Sequence, residues 1–456
     1  MRHHSARRER VPASQRHRED DAINATHGHG SIKQVRAPWP RSHRAATLLG
    51  VAAGLVIGTA PASAAPGPAT YYVAPTGNDR AAGTSPARPW RTLARVEAAS
   101  LRAGARVLLR RGGTWRGRLR IAPSGAPGRP ITVGAYGSGP GPRIAGGRCV
   151  VVDGSYVTVS GLALSGCDRA GVTVNGDFAR IAGNVITRNI AGVEVNESSS
   201  GAQIVLNRIV DNNRMVSGTS GADDDNGAFG VLLHGDGAVV ARNTIIGSDA
   251  SSPDYGRDGA AVEIYGARNS SIRNNTAIGN NAFTELGNPR SANNTYAGNV
   301  VRSSLAVSIF LVTRGGGSRY GPIRGTRVVN NTVRLTGASS EGFVCHDGCS
   351  GAVLFMRNNI IQAVKKVGFA DGALDEDYDL FFGGIRQFRV GSHSRAADPR
   401  FVAPQAGDLR LRRGSPAIDA GVPVGLRLDV LGRGIPVDGD RDGRAEPDIG
   451  AFEVPG

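Results

Sequence analysis

From about residue 150 onward one short pattern recurs: an asparagine followed by two small or β-branched residues, at Asn184, Asn243, Asn275, Asn299, Asn331 and Asn359, and at Asn207 with Arg208 in the first place. The steps are 23, 36, 32, 24, 32 and 28 residues, which reads as a period of about 22 residues lengthened by insertions in particular repeats. So short a unit cannot bury an apolar face alone and has to stack on copies of itself. Between the asparagines lie short alternating runs bounded by Gly, Asn and Asp, the signature of strands. The pattern predicts an all-β chain coiled into a parallel solenoid, with the asparagines turned inward as a ladder that bonds the backbone of neighbouring coils.

A second column sets the register. Thr173, Glu194, Leu232, Glu263, Glu285 and Ser308 each sit between mostly apolar neighbours. Side chains alternate across a strand, so the neighbours point in and these six point out. Three long insertions, 211–226, 247–258 and 314–323, flank the part of this column that holds Glu263 and Glu285. Loops of that kind commonly wall a binding face.

Composition agrees with a β-rich chain. There are 65 Gly and 24 Pro, more than helices tolerate, and aromatics make up only 5%. The formal net charge is +16, but of 54 basic residues only Lys33, Lys365 and Lys366 are lysines. No basic stripe interleaved with aromatics is present, so the charge reads as a diffuse arginine surface and not as a nucleic-acid site.

Residues 45–60 form an apolar run behind Arg41 and Arg44, followed by Ala62-Ser63-Ala64, the pattern of a secretory signal with its cleavage site. No second run of that length follows, so the mature chain is expected to be exported, extracellular, free of the membrane and monomeric. Four cysteines in an exported chain favour disulfides, Cys149 with Cys167 and Cys345 with Cys349, with two other pairings open.

YYVAPTGNDRAAGTSPARPW at 71–90, with RVLLRRGGTWRG and PITVGAYGSGPGPRI after it, resembles the opening of secreted bacterial right-handed parallel β-helix enzymes of the pectate-lyase-like superfamily. GDLRLRRGSPAIDAG at 407–421 and PDIGAFE at 447–453 resemble the terminal module of proteins of that class. The resemblance implies a right-handed parallel β-helix acting on a polysaccharide or oligosaccharide. The organisation expected is an extension and signal at 1–64, an N-terminal cap and first coils at 69–148, the β-helix at 149–400 and a C-terminal covering module at 401–456.

Glu263 and Glu285 are one coil apart in the outward column, and neighbouring coils are about 4.8 Å apart. Carboxyls about 5 Å apart suit the nucleophile and acid/base of a retaining glycosidase. Asp258, five residues before Glu263, is a candidate third catalytic carboxylate. Asp223, Asp224, Asp225, Tyr265, Arg290, Arg314 and His346 are candidates for holding substrate. Some β-helix glycosidases, β-xylosidases among them, look similar in carrying acidic catalytic residues on neighbouring coils.

The competing enzyme is a calcium-dependent polysaccharide lyase, in which Lys or Arg removes a proton by β-elimination. The central coils contain no lysine, which favours the hydrolase. A third reading is a non-catalytic glycan-binding surface protein. Hydrolysis needs no cofactor; Asp438, Asp440 and Asp442 in DGDRDG form the opening of a calcium loop and are candidates for a structural ion, with Glu446 or Asp448 to close it.

Overall fold

The computed structural model describes residues 67–218, 221 and 224–456. The expected signal segment and Asp223 lie outside the described residues. Among the described residues no helix is long and apolar enough to cross a membrane.

The chain winds through three strand faces per coil, all in parallel register. The first face runs from Thr70–Val73 to Asp375–Asp377 in twelve strands. The second includes Val185–Thr187, Arg208–Val210, Thr244–Ile246 and Thr276–Ile278. The third includes Ala191–Val195, Phe229–Leu233, Ala260–Tyr265, Ala282–Gly287, Ile309–Arg314 and Glu341–His346. Long strands at either end, Arg143–Val152 and Ile360–Ala370, bend to serve both the second and third faces.

The bends have a local cause. At the corner between the first and second faces a residue with positive φ precedes each ladder asparagine, as at Leu206 (58°), Arg242 (55°), Asn274 (55°) and Gly298 (63°). The asparagine then turns inward and becomes the core's polar spine. Asn275 donates its side-chain amide to the Val240 carbonyl at 2.8 Å and to Asn299 Oδ1 at 3.0 Å. Its own Oδ1 accepts from the backbone and side chain of Asn243, both at 3.0 Å. The same pattern runs from Asn184 to Asn359, fully buried, so every amide group meets a partner on a neighbouring coil. A second ladder, at the corner between the second and third faces, links Cys167 to Asn189 and Asn189 to Asn212, and continues as Ser248 to Asn280.

Around these spines packs one continuous core of Val, Ile and Leu, with Phe283 and Phe310 stacked at 5.5 Å. At the N-terminal end the helix Leu93–Glu97, capped by Thr92, inserts Leu93 and Val96 into it. Both expected disulfides form, Cys149 with Cys167 and Cys345 with Cys349.

The C-terminal segment covers the last coils along their flank. Phe401, Leu409, Ile418 and Ile449 pack on Val300, Ile360 and Leu380 of the second face. Asn330 donates to the carbonyls of Asp448 and Gly450, both at 3.1 Å. The open end itself is closed by Phe388, whose ring meets Phe343 at 4.8 Å and Phe381 at 5.1 Å.

Candidate active site

Two insertions leave the corner before the third face and one leaves the corner after it, so the loops rise on both sides of that face and make it the floor of a groove. Along the floor Glu263 pairs with Glu285 in register. Their flanking residues Val262, Ile264, Thr284 and Leu286 are fully buried, so both glutamates point out, as the alternation requires. The column continues upstream through Leu232, Glu194, Thr173 and Val151, and downstream through Val312, Val344, Phe369 and Gln387. Ser308 is not its next member: it is buried ahead of the strand Ile309–Arg314, and Val312 stands beside Glu285. The apolar pair around Ser308 imitates the pattern four residues too early. Glu194 lies two coils from Glu263, with Leu232 between, and its carboxylate is bound by Arg169 at 2.8 Å.

Asp258 joins the pair from the side. The insertion 247–258 folds as a hairpin in which Ala250 pairs with Asp258, delivering that carboxyl to the groove wall. Burial first, and then the charge of Glu285, push its pKa up to about 6, against a hydrogen bond from the Gly259 N–H that lowers it. Glu263 is pushed well above the ordinary carboxylate range by burial, by Glu285 and by Asp258, with Arg314 opposing. Glu285 is the ion-paired member, its carboxylate bound by Nη2 of Arg314.

Arg314 is therefore tied to the glutamate. Its guanidinium is buried, Nη1 donates to the Leu286 carbonyl at 3.2 Å, and Nε has no hydrogen-bond partner among the described residues. Arg314, Gly287 and Tyr265 occupy one outward column two positions beyond the glutamates. A side chain at Gly287 would press its Cβ to 3.1 Å from the Tyr265 ring. The glycine thus leaves the gap across which Arg314 reaches back to Glu285.

The other candidates divide. Tyr265 is exposed at the groove edge, with His234 packed edge-on at 5.9 Å, and can offer its ring to a sugar. His346 follows Arg314 in the same column and pairs with Asp347 at 2.9 Å. Arg290 is a brace: it binds the carbonyls of His234 and Gly266 and the Asp236 carboxylate at 3.0 Å. Asp225 ties two insertions together, accepting from Ser252 Oγ at 2.5 Å and from the N–H groups of Asp254 and Gly218. Asp224 and Asp225 converge with Asp254, their carboxylate oxygens within 4.8 Å of one another. Asp254 stands in the second insertion, and no spacing rule in the sequence linked it to the first.

In the C-terminal module Asp438 and Asp440 meet Asp419, and Asp442 does not join them. Asp442 instead accepts the Arg444 N–H at 2.8 Å, an ordinary turn. Asp448 is turned inward to the N–H groups of Asp419 and Val454 and does not close the loop; Asp419 also accepts the Glu446 N–H at 3.3 Å. Asp419 Oδ2 and both oxygens of Asp438 accept backbone N–H groups of the loop.

No protein-family profile and no curated protein matches the chain. Solved structures do. Pectate lyase Pel9A aligns with a TM-score of 0.53 at 19% identity, over 84% of this chain and 96% of that one. XylC in complex with xylose aligns at 0.50 and 9% identity, over 85% and 99%. The GH136 lacto-N-biosidase from Eubacterium ramulus aligns at 0.48 and 16% identity, over 72% and 67%. With the three parallel faces described above, the likeness to Pel9A shows the fold of this chain, a right-handed parallel β-helix.

Proposed function

We propose that the protein is an exported carbohydrate-active enzyme, a glycoside hydrolase that works with retention at Glu263 and Glu285. The observation that carries the reading is the in-register pairing of the two glutamates, one ion-paired to Arg314 and the other pressed toward its protonated form. Adjacent strands are about 4.8 Å apart, close to the 5–5.5 Å separation of a retaining pair.

In this reading Glu263 donates its proton to the glycosidic oxygen while the Glu285 carboxylate attacks the anomeric carbon. The alcohol leaves and a glycosyl ester remains on Glu285. Glu263, now ionised, takes a proton from water as that water attacks the same carbon and frees Glu285. Arg314 holds the nucleophile, and Asp258 adds negative charge beside the developing oxocarbenium ion. No step requires a metal ion.

A lyase is the second reading, favoured by one observation: Asp224, Asp225 and Asp254 converge at the groove wall, where a calcium-dependent elimination would want a cation. The two are separated by incubating the purified protein with a glycan panel while following reducing ends, the absorbance of unsaturated uronates, and product anomers by NMR. Reducing ends of retained configuration, lost in Glu263→Gln and Glu285→Gln, are expected. Calcium-dependent absorbance that survives both substitutions would replace the hydrolase with the lyase. Glycan binding without any turnover would leave a binding protein.

A further inference from the structure

The floor of the groove is almost without positive charge in a chain whose formal net charge is +16. Along the outward column from Val151 to Gln387 there is no lysine or arginine. The one basic residue in line with it, Arg120, stands at its upstream end and is ion-paired to Asp153. Of the arginines at the acidic cluster, Arg314 is bound to Glu285 and Arg257 to Asp249. Downstream, Lys365 and Lys366 both turn to Glu341, at 2.7 and 3.6 Å.

Negative groups, by contrast, converge. Asp258 and the glutamate pair face one another across the groove wall, and the carboxylates of Asp225 and Asp249 also act on Asp258. Glu263 is pressed toward its neutral form and Glu285 is paired with Arg314, so the repulsion that a sugar carboxylate meets here comes from Asp258 at the side of the pair, backed by Asp225. The floor downstream of the pair, half-buried Val312 and Val344, is apolar and suits the C–H face of a sugar ring, whereas Leu232 upstream is buried.

We infer that the positions spanning the carboxyl triad accept neutral glycosides and reject uronides. This rests on the triad being the catalytic centre, and it commits the hydrolase to uncharged sugars on a fold whose structural neighbours include a pectate lyase.

The test is calorimetric titration of the Glu263→Gln variant, which keeps the floor uncharged at that position and prevents turnover. Its ligands are paired oligosaccharides that differ only at C6: gluco- against glucurono-, and galacto- against galacturono-oligosaccharides. In at least one pair the neutral member is expected to bind roughly tenfold or more tightly than its uronide. That gap should narrow as sodium chloride is raised from about 50 to about 500 mM, because salt screens the repulsion. A uronide that binds as well as its neutral partner in the presence of EDTA overturns the inference, and so does the absence of binding by every neutral member. Turnover by the unsubstituted protein separates this from the catalytic reading. A neutral glycan bound but never hydrolysed sinks the hydrolase alone, whereas a uronide hydrolysed without divalent cation sinks the charge selection alone.

Discussion

Asp379 stands next to Asn359 where the seven preceding coils carry an asparagine, and its Oδ1 accepts both the backbone N–H of Asn359 at 2.5 Å and its side-chain amide at 2.9 Å. The carboxyl is fully buried, and its Oδ2 has no hydrogen-bond partner among the described residues. Burial, and then the neighbouring Glu376, hold its pKa well above the ordinary carboxylate range. The folded chain therefore keeps a proton that the unfolded chain gives up near pH 4, and the stability from this group is lost as pH rises through the folded value. Asp379→Asn restores the ladder residue and removes the titration. Its melting temperature should fall less than the parent's between about pH 5 and pH 9; parallel curves would show that Asp379 does not carry the dependence.

Two substitutions around Glu263 should move its titration in opposite directions. Removing the Asp258 charge by Asp258→Asn makes Glu263 easier to ionise, so the alkaline limb of kcat/KM shifts to lower pH. Removing the Arg314 charge by Arg314→Met makes it harder, so the limb shifts upward. Arg314→Met should also lower kcat by about 100-fold with little change in KM, because Glu285 loses its anchor. Limbs that move together would mean the group titrating is not Glu263.

Glu263→Gln removes the proton donor, and kcat/KM should drop by about 10²–10⁴-fold on glycosides with poor leaving groups. On an activated aryl glycoside, which needs no protonation to leave, the loss in kcat/KM should be much smaller, while kcat still falls because Glu263 also activates the water of the second step. Rates measured on the two substrate types check this, and an equal loss on both would take the acid role away from Glu263.

Asn275→Ala strips a buried rung of two donated hydrogen bonds, leaves the Asn243 backbone N–H and one hydrogen of its side-chain amide without an acceptor, and takes the side-chain donor from the Val240 carbonyl. Each unsatisfied buried group costs about 1–3 kcal/mol. A total loss of at least about 3 kcal/mol in denaturant unfolding is expected. A loss below about 1 kcal/mol would mean that water or a neighbour fills the rung.

The two disulfides should differ in worth. Loop-closure entropy gives about 3 kcal/mol for a loop the size of Cys149 to Cys167 and about 2 kcal/mol for one the size of Cys345 to Cys349. Serine pairs at each position, compared by thermal unfolding, should rank in that order.

The repeat was legible because its two strongest signals are physical necessities. A buried side-chain amide must be satisfied on both neighbouring coils, so Asn recurs at every corner from Asn184 to Asn359, and alternation marks Glu263 and Glu285 as outward. The second ladder was not legible, because Ser248 breaks its run of asparagines and the loop 211–226 hides its spacing. Ser308 misled because apolar neighbours mark a strand without marking its register. Arg314 was recognised as a candidate, but its direction was not, since only folding shows that Gly287 leaves it a path to Glu285. Asp419 and Asp254 were missed for a common reason: each meets its carboxylate partners across loops distant in sequence.

The pairing of Glu263 with Glu285 is set by the hydrogen-bonded spacing between neighbouring coils, and that spacing works as a ruler. Loops can lengthen, and every wall of the groove can be rebuilt, without changing the distance between residues one coil apart. A chain of this kind can therefore choose its stereochemistry by counting turns. Carboxyls on adjacent turns stand about 5 Å apart and invite a covalent intermediate, whereas the same residues two turns apart stand near 10 Å, with room for a water molecule between them. Moving one glutamate by a whole coil, from Glu285 to Val312, would change the outcome of the reaction while leaving the scaffold and the shape of the groove as they are.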